Sequence, residues 1–149
     1  MVEVSFYHLQ AQPLEQVLPR LLEKVSERGL RALLRLKSIE LSERLNTELW
    51  TYSAPSFLPH GSDQDENPEQ QPILLTTDTA SNPNSASVLV LLEDADAADI
   101  ADFDRCLYMF DGNDPESLQL ARARWKSFKA EGLEVTYWQQ EQGRWVKKA

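Results

Sequence analysis

Apolar positions in this chain alternate between two spacings, and each change of spacing marks an element. Glu3-Val4-Ser5-Phe6-Tyr7-His8-Leu9 mixes alternation with aromatic content and reads as a first strand. From Pro13 to about Arg28 the spacing becomes helical, with Leu14, Val17, Leu18, Leu21, Leu22 and Val25 three and four apart on one face. Pro19 conflicts with a continuous helix, because it removes an interior hydrogen bond; the reading allows a helix that begins there, with 13–18 as an irregular lead-in. Gly29 closes the element. Arg31–Leu36 reads as a second strand, and Ser38 caps a helix over Ile39–Leu49 whose apolar face is Leu41, Leu45 and Leu49. The pattern then breaks, and 61–72 is an acidic stretch with Pro, Gly, Ser and Gln that reads as a surface loop.

Three short apolar runs follow. Pro72–Thr77 is a strand, Ser87–Leu92 has the nearly continuous apolar content of a strand covered on both faces, and Arg105–Phe110 is another of that kind. Between the last two, Asp94–Asp104 has room for one helical turn. Asp114 caps a long final helix with Pro115 at its first position, where the missing N–H costs nothing, and Gly132 stops it. Val135–Trp138 is a last strand, followed by a turn at Glu141–Arg144 and a short tail. Strand and helix in repeated alternation predict one α/β domain over 1–149. The expected architecture is Rossmann-like, with three layers and a mainly parallel or mixed central sheet flanked by helices.

Charge is distributed unevenly. The chain has 149 residues and a formal net charge of -9. Residues 1–114 hold 8 Lys+Arg against 20 Asp+Glu, a net of -12, whereas 115–149 hold 7 against 4, a net of +3. An acidic body disfavours wrapping a long duplex, which requires many neutralised phosphates. The single cysteine, Cys106, excludes an internal disulfide and fits a reducing compartment. No basic stretch followed by an apolar run opens the chain, and apolar runs reach only five residues. The expectation is a soluble cytoplasmic protein without a membrane span.

The usual chemistry of an α/β order is missing from the motifs. The first strand-to-helix link, His8-Leu9-Gln10-Ala11-Gln12-Pro13, has no glycine, so it holds neither a dinucleotide fingerprint nor a Walker loop. His8, His60 and Cys106 offer no short-range ligand pair, and the acidic residues between 94 and 104 lack the spacing of a calcium loop; no metal or cofactor is expected. Cys106 sits within an apolar run and reads as a buried thiol, and His8 as a satisfied polar neighbour at a strand end before it reads as a functional one.

The final helix carries the strongest pattern. Leu118, Ala121, Trp125 and Phe128 follow helical spacing, and Arg122, Lys126 and Lys129 line an adjoining face. Such a face suits an acidic partner that also has an apolar side chain, with Arg gripping carboxylates and Lys adding less directional charge. The plainer reading is an amphipathic helix with Trp125 in the core. Two further readings use other features. One is direct binding of single-stranded nucleic acid by the same face. The other is a small α/β enzyme with polar groups near strand ends 9, 76, 93 and 110.

The stretch Leu120-Ala121-Arg122-Ala123-Arg124-Trp125-Lys126-Ser127-Phe128-Lys129-Ala130-Glu131-Gly132 resembles the last helix of the chi subunit family of bacterial DNA polymerase III. So do Leu49-Trp50, Ser56-Phe57-Leu58-Pro59-His60 and the opening Val4-Ser5-Phe6-Tyr7-His8-Leu9. The resemblance implies a non-catalytic clamp-loader accessory protein that binds two partners. One is the acidic, phenylalanine-ending C-terminal tail of single-stranded DNA-binding protein; the other is the psi subunit. It implies that Arg122, Trp125 and Lys126 hold the tail. A family lysine falls on Leu118 here, a departure for which Lys129 compensates. Trp50, Phe57, Pro59 and His60 fall on the surface implied for psi or adjoining it.

Overall fold

A computed structural model of the chain describes residues 2–9, 14–51, 60–62, 67–77, 82–93, 95, 97, 99–141 and 144–148. Its strands are β1 (Glu3–Leu9), β2 (Ala32–Arg35), β3 (Gly61–Ser62), β4 (Ile73–Thr76), β5 (Val88–Leu91), β6 (Arg105–Asp111), β7 (Glu134–Glu141) and β8 (Arg144–Lys147). Its helices are α1 (Leu14–Glu27), α2 (Ile39–Thr51) and α3 (Pro115–Ala130). All strands join one sheet in the order β3-β4-β2-β5-β6-β1-β7-β8. Every pairing is parallel except β7 with β8. The expected α/β class and mainly parallel sheet are therefore present.

The continuous apolar runs predicted central strands, and β2, β4 and β5 are buried along their whole lengths. One core lies on the α1–α2 face, with Leu18, Leu22, Leu45 and Leu49 against Leu34, Leu75 and Val90. A second lies on the α3 face, with Phe6, Tyr108, Phe110 and Cys106 beneath Ala121 and the part-buried Leu118, Trp125 and Phe128. Cys106 is fully buried, and desolvation pushes its thiol up to about 12, so it is inert packing.

Several details differ from the pattern reading. α1 runs unbroken from Leu14 with Pro19 inside it, so the irregular lead-in is corrected. Pro19 is buried, and its apolar packing offsets the missing hydrogen bond. Gly29 ends this helix at φ +71°, and Leu30 N–H reaches back to the Val25 carbonyl at 3.1 Å, as in a Schellman cap. Within 61–72, Gly61–Ser62 joins the sheet edge and Pro68–Gln70 forms a 3-10 turn. The turn expected in 94–104 is the 3-10 segment Ile100–Asp102. The tail after Glu141 is the antiparallel strand β8, which the turn-and-tail reading missed.

The ends of β5 and β2, where α/β folds place chemistry, are filled by the chain's own groups. The Glu93 carboxylate accepts from Lys37 N–H at 3.0 Å and Ser38 N–H at 2.9 Å, and so occupies the start of α2 where an anion would otherwise sit. Ser38 Oγ also accepts from Leu41 N–H at 3.2 Å, the predicted cap. Beyond β2, fully buried Arg35 makes a two-pronged ion pair with Asp99 at 2.6 and 2.7 Å. These internal anions satisfy positions that a bound phosphate uses elsewhere.

Candidate functional site

α3 begins where expected. The Asp114 carboxylate accepts from Glu116 N–H at 3.1 Å, and Pro115 stands at the first helical position. Gly132 ends the helix at φ +84°. Between these caps the helix lays Ala121 into the core and turns Arg122, Lys126 and Lys129 outward, all three exposed. Leu118 and Trp125 are half-buried on the border between the two faces.

Trp125 is therefore neither the fully buried core ring of the plainer reading nor a free surface ring. Its inner side meets Phe6 edge-on at 5.7 Å and Tyr137 edge-on at 5.9 Å. Lys129 Nζ lies 5.1 Å from its ring centroid, a cation–π contact. The indole is braced from behind, so little side-chain entropy remains to be lost when something packs on its exposed part. Arg124, only one residue before the tryptophan, points elsewhere. It donates to the Ala95 carbonyl at 2.9 Å and the Tyr108 hydroxyl at 3.0 Å and lies over the Tyr108 ring at 5.3 Å, a structural role.

Pattern alone did not join His8 and Tyr137 to this surface. His8 is buried at the end of β1, with Nδ1 2.5 Å from the Tyr137 hydroxyl. Its Nε2 has no hydrogen-bond partner among the described residues and lies against Gly112, where a Cβ would come within 1.8 Å of it. Burial holds the imidazole below its ordinary pKa, the nearby Arg122 charge pushes the same way, and Asp111 opposes both. Burial raises the Tyr137 hydroxyl, and Arg122 pulls it down. Arg122 thus acts electrostatically on a Tyr137–His8 pair directly behind the Trp125 ring. Tyr137 shows the apolar alternation of its strand; its position beside His8 depends on β7 pairing with β1.

The residues expected on a second partner surface are placed unevenly. Trp50 lies in the last turn of α2. Phe57 and Pro59 lie outside the described residues. His60 is turned inward at 4% exposure, and its Nε2 donates to the Asn46 carbonyl at 2.9 Å. His60 thus braces α2 against the start of β3.

Among the described residues no cluster of His, Cys, Asp and Glu could hold a metal, and no helix is long and apolar enough to cross a membrane. The fold and site define an α/β domain in which the ends of β2 and β5 are closed by the chain's own side chains and whose distinctive surface is a cationic helix with a braced indole. The family model of the DNA polymerase III chi subunit, HolC, matches residues 1–136. A curated protein of Rickettsia prowazekii (strain Madrid E), described as probable DNA polymerase III subunit chi, is 39% identical over 100 residues, 67% of this chain. That match spans 60% of the relative's length. The chain belongs to the DNA polymerase III chi subunit family.

Proposed function

We propose that this chain is a non-catalytic accessory subunit of the replicative polymerase in the cytoplasm. It holds the acidic, phenylalanine-ending C-terminal tail of single-stranded DNA-binding protein on α3. A psi-like subunit, docked near the end of α2 at Trp50, Phe57 and Pro59, links it to the clamp loader. The observation that carries the tail reading is Trp125, half-buried and braced by Phe6 and Tyr137, with exposed Arg122 and Lys126 beside it and Lys129 over its ring. In this account Arg122 takes a tail carboxylate, Lys126 and Lys129 hold further acidic groups, and the phenylalanine packs on Trp125 next to Leu118.

Exposed charge pairs contribute only about 0–1 kcal/mol each. Several of them with one apolar anchor reach micromolar affinity, near -8 kcal/mol. The test is calorimetric titration of a peptide ending in several aspartates, proline and phenylalanine. Wild type should bind with an affinity that falls as salt rises, and Arg122→Ala should bind at least about ten-fold more weakly, the equivalent of roughly 1.4 kcal/mol. Equal affinities would remove Arg122 from the site.

A further inference from the structure

A second surface lies on the opposite face of the sheet. Parallel register aligns Tyr7 with Trp138, and the β7–β8 pairing aligns Trp138 with Lys147, so these three side chains form one row on the α1 side. Trp138 Nε1 donates to Thr136 Oγ1 at 3.2 Å, two residues back on the same face. That bond draws the indole back along the strand, and the Trp138 side chain stays part exposed. Trp145 meets Tyr7 edge-on at 5.0 Å, and both tryptophans remain part exposed.

Cations flank this aromatic row at both ends. Beside Tyr7, a cavity of about 160 Å³ between α1 and the sheet is lined by Lys24, Arg28 and Arg105 over a floor that includes Leu107. At the other end stands Lys147, also exposed. Among the described residues none of these four cations forms an ion pair. Glu3 and Glu134 are the acidic groups in the row of Arg105, at the edge of the face away from Trp138. The row crosses from β6 through β1 and β7 to β8, three inter-strand intervals, so the span is about 14 Å at roughly 4.8 Å each. A protein with net charge -9 has here a local surface of cations from three elements interleaved with aromatic rings.

We propose that this β1–β7–β8 face binds a short run of single-stranded polynucleotide, with a base stacked on Trp138 and phosphates held by Lys24, Arg28, Arg105 and Lys147. Ring faces suit bases of any sequence, and cations spaced along the path suit a phosphodiester backbone. An acidic peptide without aromatic side chains would use the cations but would leave the rings without a planar partner. The tryptophans and Lys147 lie beyond residue 136, where the family match ends, so this face is separate from the tail site and rests on different residues.

The experiment is fluorescence anisotropy of labelled oligothymidylate and oligouridylate of roughly 12 nucleotides, within the 4–16 typical of such sites. The full chain is titrated from about 50 to 200 mM salt. Four phosphate contacts predict an affinity loss of about fifty-fold over that range, and the exposed pair Arg28→Ala/Lys147→Ala should reduce the loss to about seven-fold. The same double variant should keep wild-type affinity for the acidic peptide, which separates this face from α3. Thymine and uracil stack alike, so equal binding of both oligonucleotides supports a site indifferent to the sugar, and preference for one assigns DNA or RNA as the source. No saturable binding at the lower salt overturns the proposal. So does binding that Arg122→Ala abolishes and the double variant leaves intact, or an acidic peptide whose binding the double variant weakens.

Discussion

Gly112→Ala is the sharpest probe of the packing behind the site. The added Cβ would lie 1.8 Å from His8 Nε2 and 1.9 Å from its Cδ2. Ordinary contact begins at 3.4 Å, so the ring must retreat by 3.4 minus 1.8, about 1.6 Å. His8 Nδ1 is 2.5 Å from the Tyr137 hydroxyl, and a shift of that size breaks the bond. Overpacking costs about 1–3 kcal/mol, and the lost hydrogen bond about 0.5–1.5 kcal/mol. Replacing glycine restricts the unfolded chain and returns about 0.4–1 kcal/mol. The balance is a destabilisation of about 2 kcal/mol, or roughly 4–8 °C in Tm for a domain of this size.

The same substitution in a His8→Ala background meets no ring and should be neutral or slightly stabilising. Urea unfolding of wild type, both single variants and the double variant gives the coupling energy, expected near 2 kcal/mol. An equal loss from Gly112→Ala in both backgrounds would refute the reasoning, because the cost would then lie in the backbone rather than against His8. Peptide titration of the four proteins adds a second readout, since displacement of Tyr137 removes one brace of Trp125.

The remaining predictions concern charge and the anchor ring. His8 is held below its ordinary 6.5, so the unfolded chain takes up its proton first. Stability should therefore fall as pH drops below about 6.5 toward the lowered folded value, and His8→Leu should flatten that window in urea unfolding at stepped pH. Asp99 is held below its ordinary 3.8 by the hydrogen bond from Arg35, so its contribution is present above 3.8 and is lost as pH falls through the lowered value. Asp99→Asn at neutral pH removes the carboxylate that grips fully buried Arg35 and should cost about 3–5 kcal/mol in the same assay. Lys129→Met removes the cation over Trp125, and peptide affinity should fall by up to about five-fold, the loss of one exposed ion pair with the tail.

Most elements were legible because their signals are local. Apolar runs such as Val88–Leu92 announce buried parallel strands, and Asp114-Pro115 and Gly132 bracket α3. Pro19 misled because packing of the whole helix outweighs one missing hydrogen bond. Strand β8 was missed because Arg144–Lys147 is short and gains its ladder only from β7. The cationic strip at Arg122, Lys126 and Lys129 follows from helical spacing, whereas its floor does not. His8 and Tyr137 are 129 residues apart, and only the β1–β7 register brings them behind Trp125. The inward turn of His60 likewise depends on the fold bringing it within reach of the Asn46 carbonyl of α2.

The central claim is that Trp125 is the anchor for an acidic, phenylalanine-ending tail. The chain has 4 tryptophans, and their indole N–H signals can be followed separately by NMR once assigned by single substitutions. On titration with the tail peptide, the Trp125 indole should shift and saturate together with Arg122 and Lys126 amides, while Trp138 and Trp145 stay unmoved. A silent Trp125 with saturating shifts at another tryptophan would contradict the account.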